Sequence, residues 1–147
     1  MLRQASIGQI HRGELTKRDG YLVAAMRFYP RGLKRELLDE YRSDLAPDLE
    51  LFRDFKKHQK AAGHEEAFNA SRYEERFSLR RSAFEHLRVL ADAAKSADVF
   101  LACQCEVRER CHREMLLLIA RERFAASTAP LSHAYPILAE RLASGDI

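Results

Sequence analysis

A chain of 147 residues with 46% apolar and 32% charged side chains can bury a core of its own and does not have the composition of a disordered segment. Its net charge of +3 permits an anionic partner without demanding one. Three cysteines, all between positions 103 and 111, make an odd, clustered set that is a poor disulfide framework and fits a reducing compartment better.

Met1-Leu2-Arg3-Gln4 carries no apolar signal core, and the longest strongly apolar run, Met115 to Ala120, is too short to cross a bilayer. The expectation is therefore one cytoplasmic domain over residues 1–147, with no membrane partner. In chain order, Ala5 to Ile10 is predicted as a first strand, and Lys17-Arg18-Asp19-Gly20 as a turn in which Gly20 supplies positive φ. Tyr21 to Phe28 is a nearly unbroken apolar run, the pattern of a strand covered on both faces, and Tyr29-Pro30 ends it. Leu37, Leu38, Tyr41 and Leu45 recur at helical spacing, and Pro47 closes that helix. Asp48 is placed to cap a further helix that Ala61-Ala62-Gly63 stops.

Ser71-Arg72-Tyr73-Glu74 and Ser82-Ala83-Phe84-Glu85 both have the form of a capping box, and the second opens a helix with Phe84, Leu87, Ala91 and Ala94 as its apolar stripe. Val99 to Cys103 reads as another buried strand. A heavily buried helix starts near Arg110 or Cys111, Leu131 to Tyr135 reads as a short strand, and Pro136 opens a last helix. Strands alternating with helices give the expected fold class: α/β, a single-domain open, mostly parallel sheet flanked by helices.

The two buried strands each run into an abrupt polar segment, one holding Arg27, Tyr29 and Arg31, the other running from Cys103 to Arg113. In open α/β sheets ligands sit beyond the carboxyl ends of the strands, so parallel neighbours would open both segments onto one crevice. Cys111-His112-Arg113 would occupy a helix start, where free N–H groups favour an anion and stabilise a thiolate. The candidate ligand-binding residues are Arg27, Tyr29, Arg31, Cys103 and Arg113. Cys111 and His112 are the candidate catalytic pair. The favoured partner is an anionic, phosphate-bearing small molecule; the cofactor is not identified.

A small enzyme using Cys111 and His112 as nucleophile or acid/base is the alternative. A metal site is disfavoured by spacing, because Cys103 and Cys105 are split by one residue and His112 abuts Cys111. Arg72, Arg76 and Arg80 at every fourth position, interleaved with Tyr73 and Phe77, offer a nucleic-acid face. A solvated face balanced by Glu74, Glu75 and Glu85 is the simpler account.

The run from Asp19-Gly20-Tyr21 through Arg27-Phe28-Tyr29-Pro30-Arg31-Gly32 resembles the signature of the domain of unknown function 488 family, the YeaO-like proteins. Leu38 to Phe55 is similar to the next family block, and Cys103 with Cys111-His112-Arg113 resembles the Cys and Cys-His-Arg motif of the family's longer branch. The likeness covers roughly residues 5 to 135 and implies a compact α/β domain with the same two-segment site. It departs from the family pattern at Met26 and Cys105, where the motif has acidic residues, and at Tyr29, where it has tryptophan.

Overall fold

The computed structural model describes residues 1–147. Four strands, β1 (Leu2–Ser6), β2 (Tyr21–Ala24), β3 (Glu40–Tyr41) and β4 (Val99–Cys103), pair in parallel throughout, in the order β1-β4-β2-β3. Seven helices complete the fold: α1 (Ile7–His11), α2 (Leu49–Ala62), α3 (His64–Ala70), α4 (Tyr73–Arg76), α5 (Arg81–Ala93), α6 (His112–Phe124) and α7 (Pro136–Ala143). The expected open parallel α/β sheet is what forms.

Alternate strand residues point to opposite faces. Leu2, Val23, Val99 and Leu101 join the larger core with α2 through α7, whereas Ala5, Leu22, Ala24 and Ala102 pack on Ile7, Ile10, Leu33 and Leu38. Both faces are covered, which is why the apolar runs of β2 and β4 are unbroken rather than alternating. Every residue of α6 from His112 to Ala120 is buried, as its all-round apolar surface implies. No helix is long and apolar enough to cross a membrane.

Several local expectations change for identifiable reasons. The first strand begins earlier and ends at Ser6, because Ser6 and Gln9 form a reciprocal capping box that turns the chain into α1. The predicted helix over 37–45 is instead two single 3₁₀ turns flanking β3. The open edge of β2 captures that backbone: Asp39 N–H donates to Leu22 O at 2.9 Å, Arg42 N–H donates to Ala24 O at 2.8 Å, and the Asp39 carboxylate accepts from Leu22 N–H. Pairing an exposed edge outweighs a weak helical periodicity.

Ser82 lies inside α5, whose N-cap is Arg80, and Ser71 caps the end of α3 rather than opening a helix. No strand forms over 131–135; residues 127–129 lie beside β1 instead, with Leu2 N–H donating to Ser127 O and Ala129 N–H to Leu2 O. Asp48 does cap α2, its carboxylate accepting from Leu51 N–H at 2.8 Å, and Gly63 ends that helix at φ 92°.

Gly20 is not in the left-handed region. It is required by space instead, since a Cβ there would lie 2.5 Å from the Asp98 carbonyl oxygen and 2.9 Å from the Phe100 ring. Gly20→Ala is expected to push β2 off β4 at its first rung and to lower stability by about 1–3 kcal/mol, measured by urea denaturation.

Candidate functional site

β2 and β4 are hydrogen-bonded neighbours whose carboxyl ends lie level, Ala24 opposite Ala102, with Ala25 N–H donating to Ala102 O at 2.8 Å. The chain leaving β2 (residues 26–31) and the chain leaving β4 (residues 103–105) therefore flank one gap. The gap is a cavity of about 240 Å³, closed on a third side by Phe52, Phe55 and Lys56 of α2 and by Pro47, with Tyr73 and His112 at its inner end. The sequence expectation that the two segments share a crevice is met: Arg27, Tyr29, Arg31, Cys103 and His112 all line it.

Its walls carry three cations, Arg27, Arg31 and Lys56, and no carboxylate. The Tyr29 ring is fixed by its hydroxyl, which donates to Leu33 O at 2.8 Å, by an edge contact with Tyr41, and by the Arg35 guanidinium 4.3 Å over its face. Arg27 makes one weak hydrogen bond, to Pro47 O at 3.5 Å, and Arg31 is exposed, so both guanidinium groups have donors to spare.

Strand β4 delivers Cys103 to the cavity floor, and Cys111 is the N-cap of α6. Their sulfurs lie 3.1 Å apart, and Cys111 Sγ is 3.5 Å from His112 Nδ1. The other imidazole nitrogen, Nε2, lies 2.6 Å from the carbonyl oxygen of Ala25. A carbonyl only accepts, so Nε2 carries a proton, and Nδ1 is the ring nitrogen turned toward the sulfur.

Burial, with the neighbouring thiols, pushes the Cys103 thiol well above its ordinary value. A hydrogen bond with Cys103 draws the Cys105 thiol down, but the one with Cys111, together with burial, outweighs it and the thiol is pushed up to about 12. Burial also pushes Cys111 up, yet hydrogen bonds from Cys103 and Cys105 and the field of His112 and Arg113 hold it well below its ordinary value.

Two of the sequence-predicted residues do not face the cavity. Cys111 is 3% exposed and lies behind its lining. Arg113, expected to clamp an anion, is fully buried, and its guanidinium donates to three main-chain carbonyls, of Ala5, Cys105 and Glu106. It braces the cavity rather than lining it, because on α6 its side chain runs back under the end of β1.

Among the lining residues that sequence reasoning missed, three come from α2. Phe52, Phe55 and Lys56 share one helix face at spacings of three and four, a signal present once Asp48 is recognised as the cap. Met26 and Cys105, two of the three departures from the resembled motif, also line the cavity.

The proposed arginine stripe does not assemble. α4 stops at Arg76, which pairs with Asp54 at 2.6 Å; Arg72 precedes the helix at φ 55° and pairs with Glu75; Arg80 lies beyond it.

No curated protein and no solved structure matches the chain. A family model described as the active DUF488-N3 subclade matches residues 6–123. That span runs from the last residue of β1 almost to the end of α6 and includes every residue that lines the cavity. The chain belongs to the DUF488 family.

Proposed function

We propose that this chain binds a small phosphate-bearing or other anionic ligand in the cavity between the ends of β2 and β4. The observation that carries the reading is the charge of the wall: three cations line a half-open, aromatic-lined cavity that has no carboxylate in its lining. A guanidinium–phosphate contact is charge-assisted and can be bidentate, and half-buried Arg27 is the best placed of the three to make one. The rings of Phe28, Tyr29, Phe52 and Phe55 offer flat apolar surface to the remainder of the ligand. At Met26 and Cys105, where the resembled motif has acidic residues, this chain carries none, which leaves the wall positive.

In this reading Arg27, Arg31 and Lys56 hold charge, Tyr29 shapes the wall, and His112 with Cys103 faces the ligand from the floor. The family description's word "active" leads us to expect chemistry at that floor. Direct attack by Cys111 would first require its sulfur to be uncovered.

Isothermal titration against nucleoside monophosphates and sugar phosphates is expected to find a binder among them. Arg27→Ala is expected to weaken it by roughly 10–100-fold, the loss of one charge-assisted hydrogen bond. Absence of binding across both compound classes, or equal affinity in Arg27→Ala and Arg31→Ala, would overturn the reading.

A further inference from the structure

We propose that Cys103 Sγ, Cys111 Sγ and His112 Nδ1 form a site for a zinc-like divalent ion, with the fourth coordination position directed at the cavity. The proposal goes beyond the anion reading and does not depend on it. It starts from convergence: these three donor atoms all lie within 4.8 Å of one another, and all three residues are buried. Two thiolates and an imidazole are donors that select zinc over the hard, oxygen-seeking cations.

Two of the three donor pairs stand close to the distances a tetrahedral ion needs, and the third pair lies within 4.8 Å. With Zn–S near 2.3 Å and Zn–N near 2.0–2.1 Å, tetrahedral ligand atoms stand about 3.4–3.8 Å apart. Cys111 Sγ and His112 Nδ1 are already at 3.5 Å, and the two sulfurs, at 3.1 Å, need only separate by about 0.6 Å.

The second argument is the imidazole's orientation. A metal-bound histidine characteristically gives its far N–H to a carbonyl or carboxylate, which fixes the tautomer and aims the bare nitrogen at the ion. His112 meets that requirement through Ala25 O at 2.6 Å. The Ala25 carbonyl comes from the end of β2, whereas the donors come from the end of β4 and the start of α6, so the sheet register itself holds the ring in place.

The third argument is access. Cys103 and His112 line the cavity while Cys111 lies behind them, so the set opens toward the cavity, where the one further sulfur is that of Cys105, which interacts with Cys103 and Cys111. Cys105 is half-buried on the same wall but is not one of the converging donors. Three protein ligands with one open position is the arrangement of a reactive zinc site, in contrast to the four protein ligands of a structural one. On binding, any proton still held by either sulfur passes to solvent, and two thiolates with a dication make a neutral centre.

The test uses the full chain, reduced and freed of metal. Titration with Co²⁺ is expected to give the intense visible bands of tetrahedral sulfur–nitrogen ligation, saturating at one ion per chain and displaced by Zn²⁺. Zn²⁺ is expected to suppress alkylation of Cys103 and Cys111 on brief unfolding, and a chelator to restore it. Cys111→Ser and His112→Ala should lose the bands, while Cys105→Ser should keep one ion per chain.

Absence of bands in the folded wild-type protein would overturn the site, even if mild oxidation then joined Cys103 to Cys111. So would metal uptake that leaves both thiols equally reactive. Loss of the ion in Cys105→Ser would overturn the open fourth position.

Discussion

Arg113→Ala is expected to lower the free energy of unfolding by about 3–5 kcal/mol, seen as a shift of the urea midpoint at unchanged slope. The side chain is fully buried and is among the largest such groups in the protein. Its guanidinium donates to Ala5 O at the end of β1 and, at 2.8 Å each, to Cys105 O and Glu106 O in the segment after β4. Truncation leaves these carbonyls without their donor and opens a void under the sheet, so desolvation and cavity costs add.

Arg113→Lys should recover only part of the loss, because one ammonium cannot reproduce a planar fork across three carbonyls. Any ligand of the cavity should also bind more weakly to Arg113→Ala, although the residue does not line it, since the 104–106 wall loses its tie to β1. A variant as stable as wild type would show that the brace is dispensable.

Glu114→Ala is expected to cost about 3–4 kcal/mol. Glu114 is fully buried in the first turn of α6, where a negative charge also complements the helix dipole. Its carboxylate accepts from Ser132 N–H, from the Tyr135 hydroxyl at 2.7 Å and from His133 Nδ1 at 2.8 Å. The Tyr135 oxygen in turn accepts from Cys111 N–H at 3.3 Å. One carboxylate thus ties the irregular 131–135 segment to the helix start that presents Cys111 and His112.

Removing Glu114 leaves the buried Tyr135 hydroxyl and two partly exposed donors, Ser132 N–H and His133, without their shared acceptor. Glu114→Gln should cost less, about 1–2 kcal/mol, because one oxygen can still accept from Ser132 N–H while the Tyr135 hydroxyl and the His133 tautomer readjust. Hydrogen exchange should locate the loss in residues 127–147 and at the first turn of α6. Uniform loosening throughout the sheet would contradict this local role.

Burial of Tyr135, followed by its hydrogen bond to Glu114, raises that phenol above its ordinary value, so it remains a donor across the physiological range. The site therefore rests on two buried charged neighbours in sequence. Arg113 reaches back to β1 and to the loop after β4; Glu114 reaches forward to the approach to α7. Between them they hold both flanks of the α6 N-terminus, which is where Cys111 and His112 stand.

Read as a residue type, Arg113 looks like a ligand clamp. The fold reverses that, because an α6 buried from its first residue to Ala120 has no solvent side there on which to place a charge.

Part of what the residues indicate locally survives intact. The apolar run Val99 to Cys103 is β4 at the bounds its pattern indicated, Asp48 caps α2, Gly63 ends it, and Pro136 opens α7. The parallel sheet and the shared crevice also follow from sequence, since a strand apolar on both faces must lie between layers and ligands gather at such strand ends.

What tertiary structure decides is everything that depends on a distant partner. Residues 37–45 have a helical rhythm but are drawn out by the free edge of β2. Lys56 and Phe52 face the cavity only because α2 packs across it. The spacing of Cys103, Cys111 and His112 argues against metal along the chain, yet their donor atoms converge in space once β4 turns into α6 beside the Ala25 carbonyl. Local pattern sets the period and ends of an element; register and packing set which atoms meet, and no single segment encodes those contacts.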